Sequence, residues 1–337
     1  MPQLPAVPDW QGAVQLRPWR PLVTAWFMSG LGLLILLLGG DVLVRGAVNL
    51  SLRLGIPALI VSLTIVAFGT SAPELLIAIK AVLNGTPGIA MGNVVGSNTA
   101  NILLVLGIPA IIATLHTSEC DSSKTYLHML VASMLFIALA YSGEFGKVDG
   151  LVLLTVLVLI LANAFREARM HIQAGEPDDL EDIEEADPDL PYWRIGLYLL
   201  LGIIGLPLGA NILVENASSI ARTYGVSDTA IGLTLVAVGT SLPELATTLM
   251  AALRRQADVA LGNVIGSNMF NLLAIIGIAT MFGPVPVDRS FLTFDLWVML
   301  CASLLLIPFV FLGRDITRTW GIALTALYVI YIAVVLS

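Results

Sequence analysis

Cysteine and histidine are scarce here, two and three respectively in 337 residues. Cys120 and Cys301 cannot supply a disulfide scaffold, and Cys301 lies in an apolar run. His116, His128 and His171 fall in or beside loops, which argues against a zinc or copper site built from imidazole and thiolate. Charge is scarce too: 12% of residues are Asp, Glu, Lys or Arg, 57% are hydrophobic, and the mean hydropathy is +0.92. No water-exposed surface can be built from that composition. The sixteen Lys and Arg form no cluster, which excludes a nucleic-acid binder working through basic patches. The net charge of −8 is not general acidity. Between Arg166 and Arg194 lie three basic and ten acidic residues, a net of −7, so the rest of the chain carries only −1. No HExxH and no Ser/His pair occurs in the motifs described below, so the chain does not read as an enzyme.

What the chain has in quantity is long apolar runs. A bilayer crossing needs about 20 residues at 1.5 Å each. Ten such runs are present, with cores near 22–50, 57–83, 88–114, 125–142, 147–165, 193–221, 227–253, 257–282, 291–312 and 316–336. The expected fold is an all-α integral membrane protein, since the short alternating segments of a β-barrel are missing. A Pro-rich leader (1–21) precedes the first run, which has no small-residue cleavage site and reads as an uncleaved span. Five spans (22–165) are divided from five more (193–337) by an acidic linker (166–192) without the Asp/Asn spacing or central Gly of a calcium-binding EF-hand loop. Alternate loops collect six cations on one side (Arg17, Arg20, Lys80, Lys147, Arg222 and Arg289) and ten on the other. The richer side is expected in the cytoplasm, which puts the linker inside and both termini outside.

Offset by 170 residues, the chain matches itself. TIVAFGTSAPEL (64–75) aligns with TLVAVGTSLPEL (234–245), and GNVVGSNTANILLVLG (92–107) with GNVIGSNMFNLLAIIG (262–277). The motifs 64–107 and 234–277 share 21 identities in 44 positions without a gap, many on Gly, Thr, Ser, Pro, Glu and Asn rather than on the common apolar types. The copies begin in spans two and seven. Five crossings separate them, an odd number, so equivalent helices run in opposite directions: two inverted-topology five-helix repeats, with a substrate site expected where their interrupted helices meet.

The repeated motif carries the chemistry. Glu74 and Glu244 fall midway along spans two and seven, where an ionised carboxylate costs a few kcal/mol or more unless a cation compensates it. Pro73 and Pro243 lack the amide hydrogen that would bond the carbonyls of Gly69 and Gly239, so they break the helix and release backbone oxygens at membrane depth. Helical spacing sets Thr70 four before Glu74, Thr240 four before Glu244, Ser97 four before Asn101 and Ser267 four before Asn271. Gly92, Gly96, Gly262 and Gly266 allow close helix approach, and Asn93, Asn98, Asn263 and Asn268 are suited to interhelical hydrogen bonds. The donor set is all oxygen, which suits hard cations; two carboxylates balance one calcium ion. Asp41 and Arg45, four apart in the first span, are expected to pair with each other.

At these residues the chain resembles the sodium/calcium exchanger family of the calcium:cation antiporter superfamily, in its short prokaryotic form. GTSAPE with GNVVGSNTAN and GTSLPE with GNVIGSNMFN look like that family's two alpha-repeats. The resemblance implies a secondary antiporter working by alternating access, in which spans one and six slide across the core. It implies calcium between Glu74 and Glu244 with the Thr70 and Thr240 carbonyls. Sodium sites would flank it at Ala67, Ser71, Ser97, Asn101, Ala237, Ser241, Ser267 and Asn271, sharing Glu74 and Glu244. Calcium and sodium are then cargo and no cofactor is implied; the chain would work as a monomer in a prokaryotic plasma membrane with no obligatory protein partner. Some members carry Asp where this chain has Asn271, and neutral amides at both 101 and 271 argue against potassium co-transport. A proton-coupled calcium exchanger remains open as the alternative, and a calcium channel as a more distant one.

Overall fold

The structure, a computed structural model, describes residues 19–174, 187, 189–226 and 237–335. Residues 1–18 of the leader, most of the acidic linker and residues 227–236 of the expected seventh span lie outside the described residues. The helices are α1 (Trp19–Leu54), α2 (Ala58–Thr70), α3 (Ala72–Leu83), α4 (Pro87–Ile112), α5 (Ser123–Ala140) and α6 (Lys147–Ala174), followed by α7 (Tyr192–Thr223), α8 (Ala237–Gly239), α9 (Leu242–Leu253), α10 (Ala257–Phe282), α11 (Phe291–Phe311) and α12 (Arg318–Val335). Among the described residues, eight helices are long and apolar enough to cross a membrane, and the pair α2 and α3, bent by 44°, makes a ninth. The two-residue strands Glu144–Phe145 and Val285–Pro286 pair antiparallel.

Burial separates the helices into a centre and a wrapping. The most apolar windows of α4 and α10 are 78% and 89% buried, against 39% or less in every other single span, and α4 and α10 carry the Gly, Ser and Asn of the repeated motif. The helices that carry the motif's polar side chains are inside, as expected where lipid and not water is the surrounding solvent.

Outside that centre, α1 and α7 pack along their length in opposite directions, through glycines. A Cβ on Gly32 would lie 2.9 Å from the Gly209 carbonyl oxygen, and one on Gly202 would lie 3.0 Å from that of Gly39. These two contacts are each other's equivalents at the 170-residue offset, 32 with 202 and 39 with 209. A second, nearly matching pair joins α4 to α12 through Gly107 and Gly321, and α10 to α6 through Gly277 and Gly150, offset by 170 in one member and 171 in the other. Close approach of backbones substitutes here for the hydrophobic driving force that lipid surroundings remove.

The Asp41–Arg45 pair forms at 3.1 Å. Asp41 has a further partner that helical spacing does not reveal: Arg254, at the end of α9, donates to it through Nε at 2.7 Å and again through its terminal guanidinium nitrogen. Arg254 is held there by the turn from α9 into α10, in which Arg255 takes φ +55°. The equivalent turn from α3 to α4 places Gly85 at φ +73°. A left-handed backbone strains any residue with a Cβ, so the same turn is relaxed in one half and strained in the other.

Two substitutions test this packing through thermal midpoints in detergent. Gly209→Ala puts a methyl 2.6 Å from the Leu36 backbone nitrogen and is expected to destabilise by about 1–3 kcal/mol, whereas Gly30→Ala, with nothing within 4 Å, is neutral; equal midpoints would dismiss the glycine contact as a constraint. Arg255→Gly is expected to stabilise by about 1 kcal/mol, and a lower midpoint would show that the arginine side chain outweighs the backbone strain.

Candidate functional site

The Thr-Ser-x-Pro-Glu motifs become helix breaks. Pro73 lies in the first turn of α3, and Ser71 before it adopts φ −86°, ψ 2°. Pro243 lies in the first turn of α9, and Ser241 adopts φ −89°, ψ 4°. The spacing argument that put Thr70 and Glu74 on one helical face is therefore corrected: Thr70 ends α2 and Glu74 opens α3, with the bend between them. The proline supplies the reason, since it cannot donate within the preceding turn and begins a helix instead. Thr240 and Glu244 are likewise separated by the break between α8 and α9. Each glutamate thus sits in the first turn of its helix, where unpaired backbone N–H groups and the helix dipole favour a negative charge.

Both carboxylates are enclosed, each side chain 1% exposed. Ser71 reaches across the repeats and donates to Glu244 Oε1 at 3.3 Å. Thr70 Oγ1 donates to Asn263 Oδ1 at 3.3 Å and approaches Ser267 Oγ at 3.4 Å. The equivalent bond runs from Thr240 Oγ1 to Asn93 Oδ1 at 3.4 Å. Asn263 turns its amide nitrogen to Thr248 Oγ1 (3.1 Å) and to the Glu244 carbonyl (3.3 Å). The Ala67 carbonyl, a predicted ligand, accepts from Ser71 N at 3.0 Å and lies 3.2 Å from Thr70 Oγ1, as an alternative to Asn263 Oδ1 for that hydroxyl's single proton. Ala237 begins α8, and its side chain lies outside the described residues.

Four asparagines join α4 to α10. Asn98 and Asn268 each donate to the other's backbone carbonyl, at 3.2 and 3.4 Å. Asn101 donates to Asn268 Oδ1 and Asn271 to Asn98 Oδ1, both at 3.0 Å. At Asn101 and Asn271 both helices loosen into π-helical stretches, Asn101–Val105 and Phe270–Ile275, which sequence spacing does not announce. Such widened turns recur where a helix is adapted to a functional site.

After these bonds are made, a set of buried oxygens has no hydrogen-bond partner: Glu74 Oε2, Glu244 Oε2, Asn101 Oδ1, Asn271 Oδ1 and Ser241 Oγ. A buried carboxylate oxygen or amide carbonyl without a donor is costly. Several together, on helices that also bond to one another, have the donor chemistry of a dehydrated hard cation's shell. Among the described residues no group of three or more His, Cys, Asp and Glu is placed to hold a metal ion. Ser97 and Ser267 are buried on the same two helices. Residue spacing singled out these side chains as candidates; the interlocking amides required the folded partner, since they join residues about 170 apart.

The family model described as "Sodium/calcium exchanger protein" matches residues 24–166 and 195–337. Among similar proteins, the putative antiporter CaxA of Alkalimonas amylolytica is 35% identical over 303 residues, covering 89% of this chain and 95% of that one. The sodium/calcium exchanger MaX1 of Methanosarcina acetivorans is 33% identical over 338 residues, covering 90% and 96%. A solved structure of the sodium-calcium exchanger NCX_Mj superposes with a TM-score of 0.77 at 33% identity, over 92% of this chain and 98% of that one.

The unpartnered oxygens carry a thermodynamic expectation. Protein stripped by chelator and held in a large organic cation should melt at a lower temperature than protein with calcium or sodium, a cation at a hundredfold excess over its dissociation constant contributing about 2.7 kcal/mol. A midpoint indifferent to both ions would mean that these oxygens hold no cation.

Proposed function

The chain belongs to the sodium/calcium exchanger protein family, and from that membership we propose that it exchanges sodium for calcium across a prokaryotic plasma membrane by alternating access. Calcium is bound between Glu74 and Glu244 with Thr70 and Thr240. Sodium takes flanking positions at Ala67, Ser71, Ser97 and Asn101, and at Ala237, Ser241, Ser267 and Asn271, sharing the glutamates. One observation carries the reading: two buried carboxylates each keep an unpartnered oxygen, alongside unpartnered amide and hydroxyl oxygens. Two negative charges balance a single divalent ion. The same oxygens distributed among monovalent ions give a second, competing occupancy, and competition for one ligand set is what couples the two fluxes.

In this reading the molecule is two inverted five-helix repeats, 22–165 and 193–337, making ten spans with the linker in the cytoplasm and both termini outside. The paired contacts support it. Thr70 with Asn263 is matched by Thr240 with Asn93, Asn101 with Asn268 by Asn271 with Asn98, and Gly32 with Gly209 by Gly202 with Gly39. Each pair converts into the other by adding 170 to one member and subtracting it from the other, as a two-fold relation between the halves requires. The helices α1 and α7, packed closely on each other through glycines, are the elements that slide together across the core. The protein acts as a monomer, with the ions as cargo and no cofactor.

Purified protein in liposomes, loaded with sodium and diluted into sodium-free buffer containing radioactive calcium, is expected to accumulate calcium with the proton gradient collapsed by ionophore. Uptake that needs a pH gradient would replace sodium coupling by proton coupling, and calcium flux without counter-transport would make the protein a channel. Glu74→Gln and Glu244→Gln should each reduce exchange by at least about a hundredfold, because each leaves a bound calcium ion half-neutralised. Full activity in either variant would overturn the site.

A further inference from the structure

We propose that Asn98 and Asn268, without touching the ions, determine which end of the Asn271 and Asn101 amides faces the cation, and so act as positioning residues for sodium. This rests on the reading in which Asn101 and Asn271 are sodium ligands. The two ends of an asparagine amide are nearly alike in shape and opposite in polarity: the oxygen attracts a cation and the NH2 repels it. A ligand asparagine therefore has to be held the right way round.

The hydrogen bonds across the α4–α10 contact impose that choice, and it begins at groups that cannot be reversed. Asn98 faces the backbone carbonyl of Asn268, which can only accept, so Asn98 must turn its nitrogen there, at 3.2 Å. Its oxygen is then committed to the opposite side, where only a donor satisfies it. Asn271 supplies one, its Nδ2 lying 3.0 Å from Asn98 Oδ1. With its nitrogen engaged, Asn271 has its oxygen turned the other way, and that oxygen is one of the buried, unpartnered set. The second half repeats the logic. Asn268 turns its nitrogen to the Asn98 carbonyl at 3.4 Å, its oxygen accepts from Asn101 at 3.0 Å, and Asn101 Oδ1 is left without a partner. Reversing either ligand amide would set oxygen against oxygen at its neighbour, and reversing the neighbour would set oxygen against a main-chain carbonyl. The polarity of both ligands is thus fixed two steps away, by peptide carbonyls.

All four side chains are at most 1% exposed, so water is not at hand to replace a lost partner. Outer-shell partners of this kind act on ligand orientation and not on the ion, and their effect should be specific to the ion that the oriented ligand binds.

Half-saturating concentrations for each ion in the liposome exchange assay test the assignment. Asn98→Ala releases the Asn271 amide and is expected to raise the sodium value roughly tenfold, with the calcium value, which depends on Glu74 and Glu244, moving less than about twofold. In a double-mutant cycle, Asn98→Ala combined with Asn271→Ala should bind sodium no more weakly than Asn271→Ala alone, because nothing remains to be positioned. Additive losses, equal weakening of both ions, or unchanged sodium affinity in Asn98→Ala while Asn271→Ala is impaired would each overturn the positioning role. If Asn101→Ala and Asn271→Ala themselves leave sodium affinity unchanged, it is the ligand assignment beneath the proposal that fails. Thermal midpoints in detergent establish that each variant is folded, and should Asn98→Ala not fold, Asn268→Ala acting through Asn101 provides the same cycle.

Discussion

Two carboxylates enclosed among four helices, each with an oxygen that no protein donor reaches, are the constraint on which the rest of this molecule depends. Removing a carboxylate from water is expensive, and removing two to the same region adds repulsion. The architecture reduces that cost in stages. Helix breaks at Ser71 and Ser241 put each glutamate at a helix N-terminus, Ser71 donates one hydrogen bond across the repeats, and the remainder is left for a cation. A protein that satisfied these groups internally would be more stable and would have no use for an ion.

The surrounding features follow from this. Polar helices can lie at the centre of a membrane protein only when their amides bond to one another, which α4 and α10 do through Asn98, Asn101, Asn268 and Asn271. Helices meet closely enough for that only where side chains are small. A Cβ on Gly266 would lie 2.6 Å from the Leu63 carbonyl oxygen, and one on Gly262 2.7 Å from that of Leu59, so α10 reaches α2 only because these residues have none. Gly262 and Gly266 thus bring α10, with its buried Asn263 and Ser267, against the helix that ends at Thr70.

Much of this was legible in the chain itself. Repetition at 170 residues, on Gly, Ser, Asn, Pro and Glu, exposed both halves of the site, because polar residues in apolar runs are rare enough to be informative. What remained hidden had physical reasons. Spacing along an ideal helix placed Thr70 beside Glu74, but the same proline that marked the motif breaks that helix between them. The π-helical turns at Asn101 and Asn271 come from packing in the assembled protein and have no local signature. The direction of the amide bonds depends on which backbone carbonyl lies opposite each side chain across two distant segments. Asp41 seemed paired once Arg45 was found one turn on; Arg254, 213 residues away, was visible only in the fold.

That last interaction makes the two ends of the molecule unequal. At the offset of 170, Asp41, Arg45 and Arg254 correspond to Asn211, Glu215 and Asn84, so the acid and two arginines of the cluster that ties α1 to the end of α9 are not repeated at those positions. A rocking motion between mirrored halves would otherwise visit two states of equal energy. A charged clasp in one half alone removes that equality, and a difference of only about 1.4 kcal/mol would be a tenfold preference. Under the proposed exchange, the departure from exact repetition at these three positions is what would give the molecule a resting face.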